Sequence, residues 1–445
     1  MNSHQQYIHL FNEARTLIEA GSAEPMNGCR EAAFEALSAL GLPSARAERY
    51  RYFDVQTAFK PDLGYNARRL RPAADPYKTY RCGVPNMATH LFFLVGDVVM
   101  PASTTLLPEG VKVMSLVEAA NECPELLHNY YNKTAPSTTD GIVALNTMLA
   151  QDGLLVYVPD GVKLEQPIQV VFVSTATMPT LHVRRLLVVM GQDAEATLLR
   201  CEHTSGHTAD LATLVSEVFL EKQSRLEVYA IEETAAEHTG FVHVTAQLQD
   251  EAHLHHTTIS LAAGQMRTTI DVDLKGRGAS VVTDAAVVGS EHQTTDHNVV
   301  VNHIAPECRS DMLYKYVLDG ASVGAFAGKV FVGPEGMKTE SEQTNANLCC
   351  SPHARAYAQP MLEIYADDVK CSHGSSTGKL DDTALFYMRQ RGIPEDEARL
   401  LLQHAFVGEV LQRVTLESLR ERLSHLVEMR FRGAMKKCND CALCK

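Results

Sequence analysis

Four short polar stretches recur at nearly constant spacing through the middle of the 445-residue chain, each leading into a strand-like run. They are Gln192-Asp-Ala-Glu-Ala196, Glu221-Lys-Gln-Ser-Arg225, Gln249-Asp-Glu-Ala-His253 and Lys275-Gly-Arg-Gly-Ala279. Aligned on their last residues, the copies stand 29, 28 and 26 residues apart. A unit of that length, with two or three short strands, cannot close a core alone and must stack on its neighbours, which is the logic of a β-helix. A sandwich of ordinary hairpins is the alternative. The lack of Asn-Gly and Asp-Gly turns between those strands weighs against it.

The flanks read differently. Leu10, Phe11, Ala14, Leu17 and Ile18 recur at helical spacing, as do Ala33, Phe34, Leu37 and Leu40 before Gly41. Pro61, Pro72, Pro76 and Pro85 mark a linker. Residues 91–369 carry short strands, among them Val170-Val-Phe-Val173, Leu186-Leu-Val-Val-Met190 and Val242-His-Val244. After Gly392 helices return. Pro394 suits a first helical position, Glu395, Asp396 and Glu397 suit the positive helix end, and Ala398, Leu401, Leu402, Ala405, Phe406 and Val410 form one apolar stripe. A further helix carries Leu416, Leu419, Leu423 and Leu426. The expected division is a helical segment with linker over 1–88, a β-helix over 89–372, a helical segment over 373–436 and a cysteine-containing tail over 437–445.

A formal charge of −14 argues against a nucleic-acid binder, because phosphate backbones attract clustered cations. The start lacks a basic and then apolar leader pattern, and the most apolar stretch, residues 91–100, is broken by Asp97 and too short to span a bilayer. A cytoplasmic chain with no membrane partner is expected. Six of the eleven cysteines fall in the last hundred residues, which in such a compartment points to reduced thiols or metal chemistry.

Several segments invite a chemical reading. Gly374-Ser-Ser-Thr-Gly378-Lys379 has three residues between its glycines and Leu380 after the lysine, so it fails as a phosphate loop and reads as a turn. Gly276-Arg-Gly278 lacks the third glycine of a dinucleotide site. Asp367 and Asp368 raise a polysaccharide-active enzyme, in which paired carboxylates act as acid and base. On a strand, however, neighbouring side chains face opposite ways. Cys371-Ser-His373 places a thiol and an imidazole on one face if extended, where both suit iron. His203, His207, His253, His255, His256, His292, His297 and His303 lack a partner at a recognised ligand spacing and read as structural. Cys349 and Cys350 would lie on opposite faces of a strand. Cys438, Cys441 and Cys444 form two Cys-x-x-Cys steps beside Lys436 and Lys437, enough for three thiolates on one zinc ion or cluster, with the fourth ligand missing from the tail.

The run Pro360-Met-Leu-Glu-Ile-Tyr-Ala-Asp-Asp-Val-Lys-Cys-Ser-His-Gly374, followed by Gly378-Lys-Leu-Asp-Asp-Thr-Ala-Leu-Phe-Tyr-Met-Arg-Gln-Arg-Gly-Ile393, closely resembles the signature of the SufB/SufD family of iron–sulfur cluster assembly proteins. Leu145-Asn-Thr147, Asp152-Gly-Leu-Leu-Val-Tyr-Val-Pro159, Asp296-His297, His303, Phe326-Ala-Gly-Lys329 and Arg46-Ala-Glu48-Arg-Tyr-Arg-Tyr52 fit the same family in order. Cys-Ser-His-Gly is similar to the SufD branch, whereas the sister SufB typically reads Glu-His-Glu-Ala-Thr there. The family commonly shows Gly-Ala-Thr-Val-Gly after the histidine, and Gly374-Ser-Ser-Thr-Gly378 departs from it.

The resemblance implies a mainly β protein with a right-handed parallel β-helix core between helical ends. It implies a non-enzymatic scaffold subunit that pairs with a SufB-like paralogue, or with a second copy in isolation, and binds a SufC-like ATPase through its C-terminal helices. It also implies that His373, with Cys371 beside it, faces a partner cysteine at a shared site for iron or a transient iron–sulfur cluster, none being held stably by this chain alone. Two other readings remain: an architectural arm that only binds the ATPase, and the polysaccharide-active enzyme.

Overall fold

The computed structural model describes residues 3–72, 75–80, 84–101, 106–175, 177–206 and 208–433. From Ile168 to Gly378 successive strands alternate between two sheets, and within each sheet every strand from this region pairs in parallel with the strand one coil away. The result is a parallel β-solenoid of about seven turns, and the hairpin alternative is excluded, since hairpins pair antiparallel. In one sheet Glu195, Arg225, His253, Ser280, Arg309, Glu340 and Lys370 stand in register, giving coils of 30, 28, 27, 29, 31 and 30 residues. The sequence repeat is therefore real, but Ala196 and Ala279 are each one place off that register.

The corners explain why polar stretches mark the repeat. Asp193, Gln223, Glu251, Gly278, Glu307 and Lys338 each adopt the left-handed conformation at the same corner, with φ between 56° and 70°. Each donates its backbone N–H to a carbonyl of the next coil, as Gln223 does to Asp250 at 2.8 Å and Glu251 to Arg277 at 2.9 Å. Stacking thus satisfies corner groups that an isolated coil would leave unpaired.

Three apolar layers follow from strands that are buried on both faces. Between the sheets lie residues such as Val156, Val188, Val218, Val244, Val287 and Val330. The outer face of one sheet is covered by N-terminal helices, including Gln5–Ala20, Arg30–Leu40 and the wholly buried Gly141–Leu149. The outer face of the other is covered by Glu395–Gln412 and Glu417–Phe431. In the first of these two helices the buried residues are Ala398, Leu400, Val407, Val410 and Leu411, while Leu401 and Ala405 are exposed, so the apolar stripe is rotated from the one read in the sequence. Arg413 ties this pair to the sheet through Asp284 and Asp311, both at 2.9 Å.

The N-terminal element resembling the family lies across the outer face of its sheet. Arg49 pairs with Asp271 and donates to Asn298 at 2.8 Å, Arg267 stacks on the Tyr50 ring, and Tyr52 stacks on Tyr357 with ring centres 4.5 Å apart. Among the described residues, no helix is long and apolar enough to cross a membrane.

Candidate functional site at the open end of the solenoid

The coils near the C-terminal end of the solenoid run out from under the helices that cover the earlier ones. The last strand, Lys370–Gly378, pairs with Glu340–Cys349 on one side and ends its sheet. Residues 372–379 are all exposed. The glycines at 374 and 378, read as bounding a turn, instead stand on this extended edge strand, because the neighbouring strand supplies a ladder that small residues can join. The first helix beyond it begins at Asp382, capped by the Asp381 carboxylate accepting from the Thr383 N–H at 2.8 Å.

Cys371 and His373 alternate with Ser372 along the strand and so share its inner face. Cys371 is partly buried against the margin of the inter-sheet core, and burial pushes its thiol above the ordinary range. His373 is exposed and stands in register above Gln343, which is fully buried. Gln343 fits because residue 328 is glycine: a Cβ there would come within 1.8 Å of the amide nitrogen. The Gln343 Oε1 has no hydrogen-bond partner in the structure. Two places on, Asn347 donates to the Thr377 Oγ1 and to the Ser376 carbonyl, each at 3.2 Å. The edge therefore offers an accessible imidazole and a partly sheltered thiol on a strand fixed from below.

Beneath Cys371, Ser341 and Ser310 are linked hydroxyl to hydroxyl at 2.8 Å, and Ser310 meets the His303 Nε2 at 2.8 Å. Burial lowers His303 to about 4, so it is neutral near pH 7. His256 and His297 lie deeper between the sheets and are lowered by burial to about 3, with the His297 Nδ1 2.7 Å from the Tyr316 hydroxyl. His255 meets Asp284 at 3.0 Å, His243 meets Asp271 at 3.1 Å and His238 meets Asp210 at 2.8 Å. Each of these carboxylates lies 28 or 29 residues from its histidine. Local ligand spacings miss them; one solenoid period finds them.

Asp367 and Asp368 lie in the bend before the last strand rather than on a strand, and both are exposed. The Asp368 carbonyl accepts from the Lys338 N–H at 2.6 Å, which gives this corner a structural part. Cys349 packs toward the inter-sheet core and Cys350 toward the C-terminal helices. Cys438, Cys441, Cys444 and His207 lie outside the described residues. Among the described residues, no three His, Cys, Asp or Glu side chains gather as a metal site.

Comparison with known proteins agrees with this architecture. Residues 172–406 match the family described as "SUF system FeS cluster assembly, SufBD core domain", and residues 1–170 match the "SufBD protein N-terminal region". The chain is 26% identical to an iron–sulfur cluster assembly SufBD family protein of Synechocystis over 90% of each chain. It is 24% identical to the iron–sulfur cluster assembly protein SufD of Escherichia coli over 98% of each. With the SufD of Bacillus subtilis it shares 26% identity over 73% of this chain and 75% of that one. The parallel solenoid, the helices at both ends and the matches across nearly the whole length lead to one assignment: the chain belongs to the SufB/SufD family of iron–sulfur cluster assembly proteins, on its SufD branch.

Proposed function

We propose that this chain is the scaffold subunit that joins a SufB-like paralogue at the open end of its solenoid and a SufC-like ATPase at its C-terminal helices. The observation that carries the reading is the strand Lys370–Gly378, an edge with one side unpaired among the described residues and His373 exposed on it. Exposed edges recruit strands from other chains. The companion edge, Arg355–Ile364, is blunted by Pro360, which cannot donate to a ladder, so the histidine-bearing edge is the better place to add a strand. A second copy of this chain takes that place when no paralogue is available.

His373 then serves as half of a site for iron or a nascent cluster, with thiolate supplied across the junction and Cys371 at its margin. Imidazole and thiolate both suit iron, and ligands divided between two chains allow a cluster to be built there and released when the chains move apart. ATP turnover on the helical arm supplies that movement. Replacing His373 with Ala, with both partners co-expressed, is expected to leave the complex intact and abolish anaerobic cluster formation; full cluster formation in an intact complex overturns the proposal.

The reading of the chain as an architectural arm alone draws on a separate feature. Phe386, Tyr387 and Leu401 are exposed on the C-terminal helices, an apolar surface suited to a partner. Under that reading, truncation after Arg391 abolishes ATPase binding while His373→Ala changes nothing.

A further inference from the structure

The strands Ile168–Thr175, Glu195–Ser205 and Arg225–Glu233 turn their outer faces toward the helix Glu417–Phe431. Between strands and helix lies a cavity of about 20 Å³, bounded on the helix side by Leu419 and Leu426. That is room for one water-sized molecule. Five polar side chains also line it: Gln169, Cys201, His203, Glu233 and Arg422. An apolar layer has no need of them, and burying them without full hydrogen bonding carries a cost.

Cys201 and His203 are two apart on one strand and so share its outer face. Glu233 stands in register with His203 one coil on, and its Oε2 lies 3.4 Å from the His203 Nδ1. His203 is 4% exposed, and that nitrogen has no hydrogen-bond partner in the structure. The Gln169 amide donates to the Cys201 Sγ at 3.7 Å. From the helix, Arg422 brings its Nε and Nη2, both buried and both without a hydrogen-bond partner. Those two nitrogens are the pair that grips an oxyanion side-on. A buried thiol among apolar neighbours alone is inert. Here a nucleophile, a base and a group that orients the base line one cavity, the arrangement that activates a nucleophile, with a cation across from them.

We propose that Cys201 is a peroxide-reactive thiol, oxidised to a sulfenic acid inside this cavity. The room available suits hydrogen peroxide, which is little larger than water, and excludes bulkier thiol reagents. His203 takes the thiol proton. The Cys201 sulfur then bonds to one peroxide oxygen as the O–O bond breaks, and the departing hydroxide recovers the proton from His203 and leaves as water. One thiol and one peroxide give one sulfenic acid and one water: the sulfur loses two electrons and the peroxide gains them. Gln169 steadies the thiolate before the attack, and the Arg422 fork meets the new S–O group after it. Glu233 is a positioning residue, holding the imidazole at Nδ1. The site lies beneath the C-terminal helices, apart from the edge bearing His373, and does not rest on the junction proposed there.

The test exposes the reduced, full-length protein to hydrogen peroxide, stops the reaction with catalase and unfolds the chain in urea with dimedone, which traps sulfenic acids for peptide mass spectrometry. Cys123 and Cys308, equally buried thiols of the same chain, are the internal reference. We expect the Cys201 adduct to form at least about 10-fold faster than theirs, and His203→Gln to slow it about 100-fold, the order a general base contributes. Glu233→Ala should slow it less, and Glu233→Asp should restore most of the rate. A cavity merely loosened by substitution would speed the reaction, so slowing separates chemistry from packing. A Cys201 adduct no faster than the two references in the unmodified chain, a comparison that needs no variant, overturns the proposal, as does an unchanged or raised rate in His203→Gln.

Discussion

Histidines buried between the sheets give the fold a definite response to acid. In the unfolded chain each takes a proton near pH 6.5; in the fold burial withholds it until about 4 for His303 and about 3 for His256 and His297. Between those values the unfolded chain binds more protons, so stability rises with pH and is lost as pH falls from 6.5 toward 4. For His303 the full effect is on the order of 3 kcal/mol. Urea unfolding at a series of pH values should show this loss, and His303→Gln, which can still hydrogen-bond Ser310, should flatten it; an unchanged slope contradicts the assignment. At this scale the sequence was legible only locally. The pairing of Cys371 with His373 on one face follows from a spacing of two. The partnership of His255 with Asp284 does not, because it depends on a coil returning 29 residues later. Nothing in the immediate neighbourhood of either residue announces the other.

Elements depend on corners as much as on strands. Gly276 and Gly278 share one corner but answer different demands. A Cβ on Gly276 would stand 1.9 Å from the Asp250 backbone nitrogen, whereas on Gly278, at φ 70°, it would meet only the Glu251 side chain at 3.6 Å. Gly278→Ala should therefore cost about 1 kcal/mol, the usual strain of a left-handed residue. Gly276→Ala should cost about 3 kcal/mol or more, since backbone must move. Thermal unfolding of the two variants checks the order, and the reverse order contradicts the geometry. In the C-terminal pair, Leu423 is fully buried against the sheet, and Leu423→Ala should lower stability by about 3 kcal/mol. Loss of amide protection confined to Glu395–Gln412 and Glu417–Phe431 would show that the helices undock without the solenoid unwinding.

The coil period was readable because these corners are polar, yet its phase slipped by one residue at Ala196 and at Ala279: what is constant from coil to coil is the left-handed residue two places before each strand, and its identity changes from Asp193 to Gln223, Glu251 and Gly278. The last strand was misread as a turn for the converse reason: small residues suggest a loop, and only a pairing partner 30 residues earlier makes them a strand.

For the molecule as a whole, stacking leaves two ends, and the two are finished differently. At the N-terminal side helices and short strands cover the first coils; at the other the sheets stop, one edge interrupted by Pro360 and the other continuous from Lys370 to Gly378. Family membership and the helical caps could be read from the chain, but an open edge is a property of stacking order and becomes visible only when the coils are counted in space. We propose that the scaffold joins its partner along this edge. Hydrogen exchange of the amides in Lys370–Gly378, followed with and without the SufB-like partner, tests it most directly. Those with outward N–H groups should exchange freely in the lone monomer and slow by at least about 100-fold in the complex, as ladder hydrogen bonds form; a stable complex in which their exchange is unchanged would contradict it.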